Sequence, residues 1–217
     1  MGSRVASTGG EAADGGPTGR GRPRDPGVEH RVFDAAIALY AAAGWAGFSV
    51  EAVARRSGVG KAGIYARWGS RQDLLRQTLE ARWVWPARID LGSLRDDLLA
   101  LARQIFDVST SDYAGVARWI TVDRETHEAV RTATAGYVEA TIRQGRAIVR
   151  RAIGRGEIGA GANPGLLMDL VVGGVTNHVR TTPIHLRSAM VAKRDAFTLD
   201  LVDAVLRGVT HAQPRPQ

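Results

Sequence analysis

SVEAVARRSGVGKAGIYARWGSRQDLL, residues Ser49 to Leu75, decides how the rest of the chain is read. It divides at Gly58 into two short amphipathic segments, and a further helix begins near Ser70. Ala54, Gly58 and Ile64 have the spacing that two crossed helices require. A small residue at 54 lets the second helix cross closely over the first. Gly58 can adopt the left-handed conformation that ends the first helix, and Ile64 fills the wedge between them. Val53, Val59 and Trp68 add apolar packing. The outer face of the second helix then carries Lys61, Tyr65 and Arg67, a cationic and hydroxyl-bearing surface suited to the major groove.

Upstream, Val32, Ala36, Leu39 and Ala43 recur at helical spacing, with Phe33, Ile37 and Tyr40 widening the stripe. They predict a helix from about Val28 to Ala43, ended by Gly44. Ser49 is an N-cap for the next helix, and its hydroxyl or the nearby N–H groups can hold a phosphate. Gly69 breaks the chain, and Ser70 to Asp73 form a capping-box-like start to a fourth helix that ends before Pro86, because Trp85 precedes a proline. Residues 1–28 are rich in small and polar residues and have almost no large apolar side chain, so they predict a disordered arm. Within the arm, Arg20, Arg22 and Arg24 lie in RGRPR, either a minor-groove hook or an ordinary basic linker.

Downstream the pattern is helical, with no strand alternation. Ser93 with Asp96 repeats the capping pattern and starts a helix to about Val108. Segments from Asp112 to about Val122 and from Thr126 to Ile153 follow. Asn163-Pro164 caps and opens a helix to about Thr181, and a last helix runs from about Lys193 to Leu206. The expected fold is therefore all-α with about nine helices. An N-terminal arm (1–28) precedes a three-helix DNA-binding domain (29–75) and a C-terminal helical domain (76–217).

Charge agrees with this division. The net charge is +7, of which residues 20–88 carry +6, so the excess lies with the helix-turn-helix. The absence of cysteine excludes a disulfide scaffold and thiolate chemistry. No apolar run reaches membrane-spanning length and no signal core is seen, so a soluble cytoplasmic protein without membrane contact is expected. Two GxGxxG strings, Gly58 to Gly63 and Gly154 to Gly159, lie between helical segments and lack the strand that a dinucleotide site needs. No HExxH, GxSxG or nucleophile–base pairing is present, which argues against an enzyme, and no cofactor or metal is expected.

GVGKAGIYARWGSRQDLL resembles the core of the DNA-binding domain of TetR-family (tetracycline-repressor-like) transcriptional regulators. His30 to Gly44 and SVEAVARRSG stand in that family's order for its first two helices. SLRDDLLAL (Ser93 to Leu101), Ala152 to Leu170 and Val205 to Gly208 resemble one group of its C-terminal domains, so the likeness covers most of residues 29–208. Gly60 stands where the family commonly has a capping Ser or Thr, and Gly63 where it often has a hydroxyl facing DNA.

The resemblance implies a repressor released from a palindromic operator by a small molecule, with residues 76–217 as the ligand-binding and dimerisation domain; an architectural DNA-binding protein without a ligand is the alternative. Lys61, Tyr65, Arg71 and Ser49 are then expected at phosphates, and Gly60, Ala62, Gly63 and Arg67 at the bases. Trp119, Tyr137, Asn177 and His178 are candidates for a ligand pocket, although His178 reads first as a satisfied core or interface histidine. One helix-turn-helix reads few base pairs, so a homodimer is expected. It would be joined through the last two helices in a four-helix bundle, with Gly173, Gly174, Phe197, Leu201 and Val205 at the interface.

Overall fold

The computed structural model describes residues 26–83 and 88–210. Among these residues there are ten α-helices, one 3-10 turn and no strand. Arg20, Arg22 and Arg24 of the arm, and Trp85 and Pro86 beyond the fourth helix, lie outside the described residues.

The first helix, α1 (Pro26–Gly47), is longer than its periodicity suggests because one turn resumes after a break at Gly44. Gly44 has φ 58° and ψ −157°, a combination open essentially to glycine alone. Val32, Ala36 and Tyr40 are fully buried, with Ala35 and Ile37 beside them, whereas Ala43 faces solvent. The predicted stripe thus holds at Val32 and Ala36, keeps Leu39 half-buried against the core and loses only Ala43. Next come α2 (Val50–Ser57), α3 (Lys61–Trp68) and α4 (Arg71–Arg82). The C-terminal half comprises α5 (Leu94–Thr110), α6 (Ala114–Thr126), α7 (Glu128–Gly154), α8 (Pro164–Thr181), a 3-10 turn (Ile184–Leu186), α9 (Arg187–Ala192) and α10 (Arg194–Thr210).

The predicted caps form. Ser93 Oγ accepts from the Asp96 N–H at 3.1 Å and donates to Asp96 Oδ2 at 2.7 Å. Asn163 Oδ1 accepts from the N–H groups of Gly165 and Leu166 ahead of Pro164. The short α9 and the turn before it carry no predictive pattern: among them only Met190 is buried, so no apolar period announces them.

Two apolar cores organise these helices. One joins α1 to α4 with Val116 and Ile120 of α6 and Val130 of α7. The other joins α5, α8 and α10 with the C-terminal half of α7, around Leu98, Phe106, Ile148 and Leu167, all essentially inaccessible. Each such side chain contributes about 1.5–3 kcal/mol by burial. The first core crosses the expected division at residue 75. Leu74, Leu75 and Leu79 of α4, with Trp83 at its C-cap, face it together, so α4 ties the N-terminal helices to α6 and α7.

The α1–α6 crossing is closer than side chains normally permit. A Cβ on Gly115 would stand 2.0 Å from the Ala41 carbonyl oxygen, and one on Gly44 would stand 2.6 Å from the Trp119 ring. Beside this contact the Trp45 N–H donates to the buried Asp123 carboxylate of α6 at 2.7 Å. No helix among the described residues is long and apolar enough to cross a membrane. Gly44→Ala combines forbidden backbone geometry with overpacking against Trp119 and is expected to cost about 3 kcal/mol of unfolding free energy or more. A urea titration that shows less than about 1 kcal/mol would contradict the assigned role of the break.

Candidate nucleic-acid interface

The site is built by local chemistry at each junction. Ser49 caps α2, its Oγ accepting from the Ala52 N–H at 3.1 Å. That bond uses an acceptor lone pair and leaves the hydroxyl proton available to an outside acceptor. Gly58 ends α2 in the left-handed region (φ 70°, ψ 16°), and its N–H donates to the Ala54 carbonyl at 3.0 Å. Gly60 then starts α3 without a side-chain cap, and no acidic residue stands in the first turn of α3. The first N–H groups of α3, the positive end of its dipole, are therefore uncapped by any side chain. Gly69 (φ 65°) ends the helix. Ser70 caps α4, accepting from the Asp73 N–H at 3.0 Å and donating to Asp73 Oδ2 at 2.9 Å.

Within α3 only Ile64 and Trp68 are buried. Ile64 fills the wedge against α2, and Trp68 meets Phe33 edge-on with ring centroids 5.6 Å apart. Lys61, Ala62, Gly63, Tyr65, Ala66 and Arg67 all face outward. Space is open around Gly60, and a Cβ on Gly63 would meet only Val59, at 3.9 Å. The structure thus brings Gly60, Lys61, Ala62, Gly63, Tyr65 and Arg67 onto one exposed surface, with Ser49 at the neighbouring end of α2.

Arg71 departs from that surface. Its guanidinium lies 3.6 Å over the Trp45 ring, and its Nη2 donates to the Trp45 carbonyl. Burial pulls its pKa down, partly offset by Asp123 and Glu51. Arg71, expected at a phosphate, is thus held inward, because Trp45 offers a π-face and a carbonyl within reach, the latter shared with the Phe48 N–H at 3.3 Å. Trp45 becomes a hub, bound through its N–H to α6 and through its carbonyl and ring to the first residue of α4. The buried Tyr40 hydroxyl beside it finds no partner of normal geometry, and burial first and Asp123 second push its pKa far above the phenol range.

Sequence reasoning also missed Glu51. Its carboxylate forms an ion pair with Lys61 across the two helices, which lowers the pKa of Glu51 and raises that of Lys61, chiefly through their mutual hydrogen bond. The available signal was its isolation: it is the one acidic residue between Ser49 and Gln72.

The expected ligand-pocket residues are not brought together. Trp119 packs at the Gly44 break, and Tyr137 lines a groove of about 240 Å³ between α4 and α7 with Leu79, Trp83 and Ala133. Asn177 is exposed on α8 and accepts from Arg180, while the His178 ring stacks on Phe197 at 3.8 Å. Helical phase separates them: Asn177 is on the outer face of α8, and Trp119 is on the face of α6 turned toward α1. The expected dimer residues divide for the same reason. Val205 is buried in this chain's own core, and Gly174 lies under Leu201, where a Cβ would come within 2.9 Å of it. Phe197 and Leu201 are half-buried against that core. Gly173 alone of the five faces open space.

Comparison with known proteins agrees with this geometry. Residues 32–78 match the family described as "Bacterial regulatory proteins, tetR family", and residues 88–205 match "Tetracyclin repressor-like, C-terminal domain". An uncharacterized HTH-type transcriptional regulator of Bacillus subtilis, YdeS, is 26% identical over 200 residues, spanning 88% of this chain and 93% of the relative. Among solved structures, Salmonella enterica GusR superposes with a TM-score of 0.63 at 16% identity, covering 85% of this chain and 96% of its own. Bacillus subtilis FadR, solved with stearoyl-CoA, gives 0.58 at 15% identity, covering 85% and 99%. An exposed helix-turn-helix head on a helical C-terminal domain, with both parts matched in order, means that this chain belongs to the TetR family of DNA-binding transcriptional regulators, which are not enzymes.

Proposed function

We propose that the protein is a sequence-specific regulator that binds a palindromic operator as a homodimer and, as a repressor, is released by a small molecule. The observation that carries the DNA contact is α3, an eight-residue helix fixed by a glycine at each end and by Ile64 and Trp68, and exposed along the rest of its length. In the major groove Lys61, Tyr65 and the Ser49 hydroxyl hold phosphates. Gly60, Ala62, Gly63 and Arg67 face base edges. The two glycines bring backbone, not hydroxyls, to the DNA, which shifts discrimination toward groove shape and toward the arm with Arg20, Arg22 and Arg24 in the minor groove.

Pairing is supported by α8. Leu167, Val171, Val175 and Val179 turn inward, which leaves Leu166, Leu170 and Gly173 outward with the highly exposed Ile184 nearby in sequence. An exposed apolar face of this kind suits an isologous two-fold contact. Release is supported by α4, whose cap Ser70 directly follows the end of α3 and whose far end lines the groove against α7. A ligand seated between α4 and α7 moves the recognition helix by favouring one of two placements of α4, and about 1.4 kcal/mol of preference shifts that balance tenfold. FadR, which shares the fold, holds stearoyl-CoA, so a small organic ligand is the class to screen.

Lys61→Ala should weaken binding to every duplex by about five- to tenfold at moderate salt and flatten the dependence of log K on log salt by about 0.9 per head. A loss confined to one base position would contradict the phosphate role. For any compound that releases the operator, Tyr137→Ala should raise the concentration needed by about tenfold while ligand-free DNA affinity stays within about threefold. An unchanged response would place the ligand elsewhere.

A further inference from the structure

The surface assigned to DNA holds a feature that DNA binding itself does not need. Between Ser49 and Gln72 five residues are basic, namely Arg55, Arg56, Lys61, Arg67 and Arg71, and one is acidic, Glu51. An acid in the first turn of a helix ordinarily answers that helix's own dipole, and Glu51 occupies such a position in α2. Its carboxylate, however, is joined to the first residue of the other helix: Glu51 Oε1 contacts Lys61 Nζ, with both side chains about half exposed, at 48% and 52%. Lys61 stands where α3 begins without a side-chain cap or an acid of its own. Glu51 is therefore the carboxylate set against the most anion-seeking point of the head, where a cationic side chain and uncapped N–H groups meet.

We propose that Glu51 is a brake on DNA binding: it competes with backbone phosphate for Lys61 and so lowers the affinity for duplexes of every sequence. The role rests on the reading of α3 as the DNA-contacting helix. A phosphate that takes Lys61 displaces Glu51 and leaves an unpaired carboxylate beside a second anion. Because phosphates are the same in all sequences, the penalty is indifferent to sequence. The ratio of operator to non-operator affinity is therefore unchanged, but the absolute affinity for the large excess of non-operator DNA falls, so more of the protein is free of it. Positioning is the competing role, in which Glu51 holds the flexible Lys61 side chain ready for phosphate and its loss weakens binding.

The test uses the full chain as wild type, Glu51→Gln, Lys61→Ala and the double variant, titrated with a random-sequence duplex from low to moderate salt. Thermal melts confirm that each variant is folded. Glu51→Gln should bind about three- to tenfold more tightly at low salt, with a salt dependence steeper by about one unit per head. That gain should vanish when Lys61 is Ala. If Lys61→Ala weakens binding while Glu51→Gln leaves it unchanged or weaker, the brake is wrong and the DNA-contact assignment stands. If Glu51→Gln tightens binding equally with Lys61 absent, the carboxylate acts by general repulsion and the competition for Lys61 is overturned. If Lys61→Ala has no effect on binding, both the brake and the assignment of Lys61 to phosphate fail.

Discussion

The contact on which the rest of the structure depends is the clamp around Gly44 and Trp45. At Gly44 the chain takes a backbone conformation closed to other residues, and the Trp119 ring occupies the space a side chain would fill. The adjacent Trp45 N–H is held by the buried Asp123 carboxylate of α6, and the Trp45 carbonyl and ring are held by Arg71. Arg71 is the first residue of α4, two residues beyond Gly69, which ends the recognition helix. A single residue thus connects the helix that turns toward the C-terminal domain with the start of the helix that supports α3. Displacing α6 by a fraction of an ångström requires either the Asp123 bond or the Trp45 carbonyl to move, because the Gly115–Ala41 crossing leaves no slack for α1 to slide. The buried charge gives the clamp its stiffness, since an unpaired carboxylate or N–H there is far costlier than a strained one.

The head itself is built with little side-chain chemistry. Its fixed parts are apolar, Ile64 and Trp68, and its outward parts include two glycines and two alanines. In the proposed groove contact, a helix presented in this way approaches closely and leaves discrimination to a small number of groups, chiefly Arg67 and the backbone. Under such a scheme electrostatics set affinity and geometry sets register. In the homodimer proposed above, the spacing between two heads, governed by α4 and by the pairing of the C-terminal domains, carries more of the specificity than any one base contact.

The head was legible in the sequence because every junction in it is decided locally. Gly58 and Gly69 stop helices, Ser49 and Ser70 start them, and each acts on atoms within four residues. The clamp was not legible, because Trp45 and Asp123 are 78 residues apart and neither belongs to a recognisable motif. Arg71 was read as a surface cation for the same reason: its partner lies 26 residues upstream, across a break whose direction the sequence does not state. In α8 the difficulty was phase. Gly173 and Gly174 are neighbours in the chain, yet a step of about 100° around the helix puts one in the open and the other beneath Leu201. A pair of glycines announces a close approach without saying which of them makes it.

The measurement that tests the central claim most directly is selection of bound duplexes from a random DNA library by the purified full-length protein at moderate salt. A symmetric reader built from two such heads enriches a palindrome whose half-site centres lie about one turn of the duplex apart, or a little more. Enrichment of A·T-rich sequence without a palindrome, or of no sequence at all, would contradict a paired, sequence-specific regulator and leave only a basic surface that binds DNA by its charge.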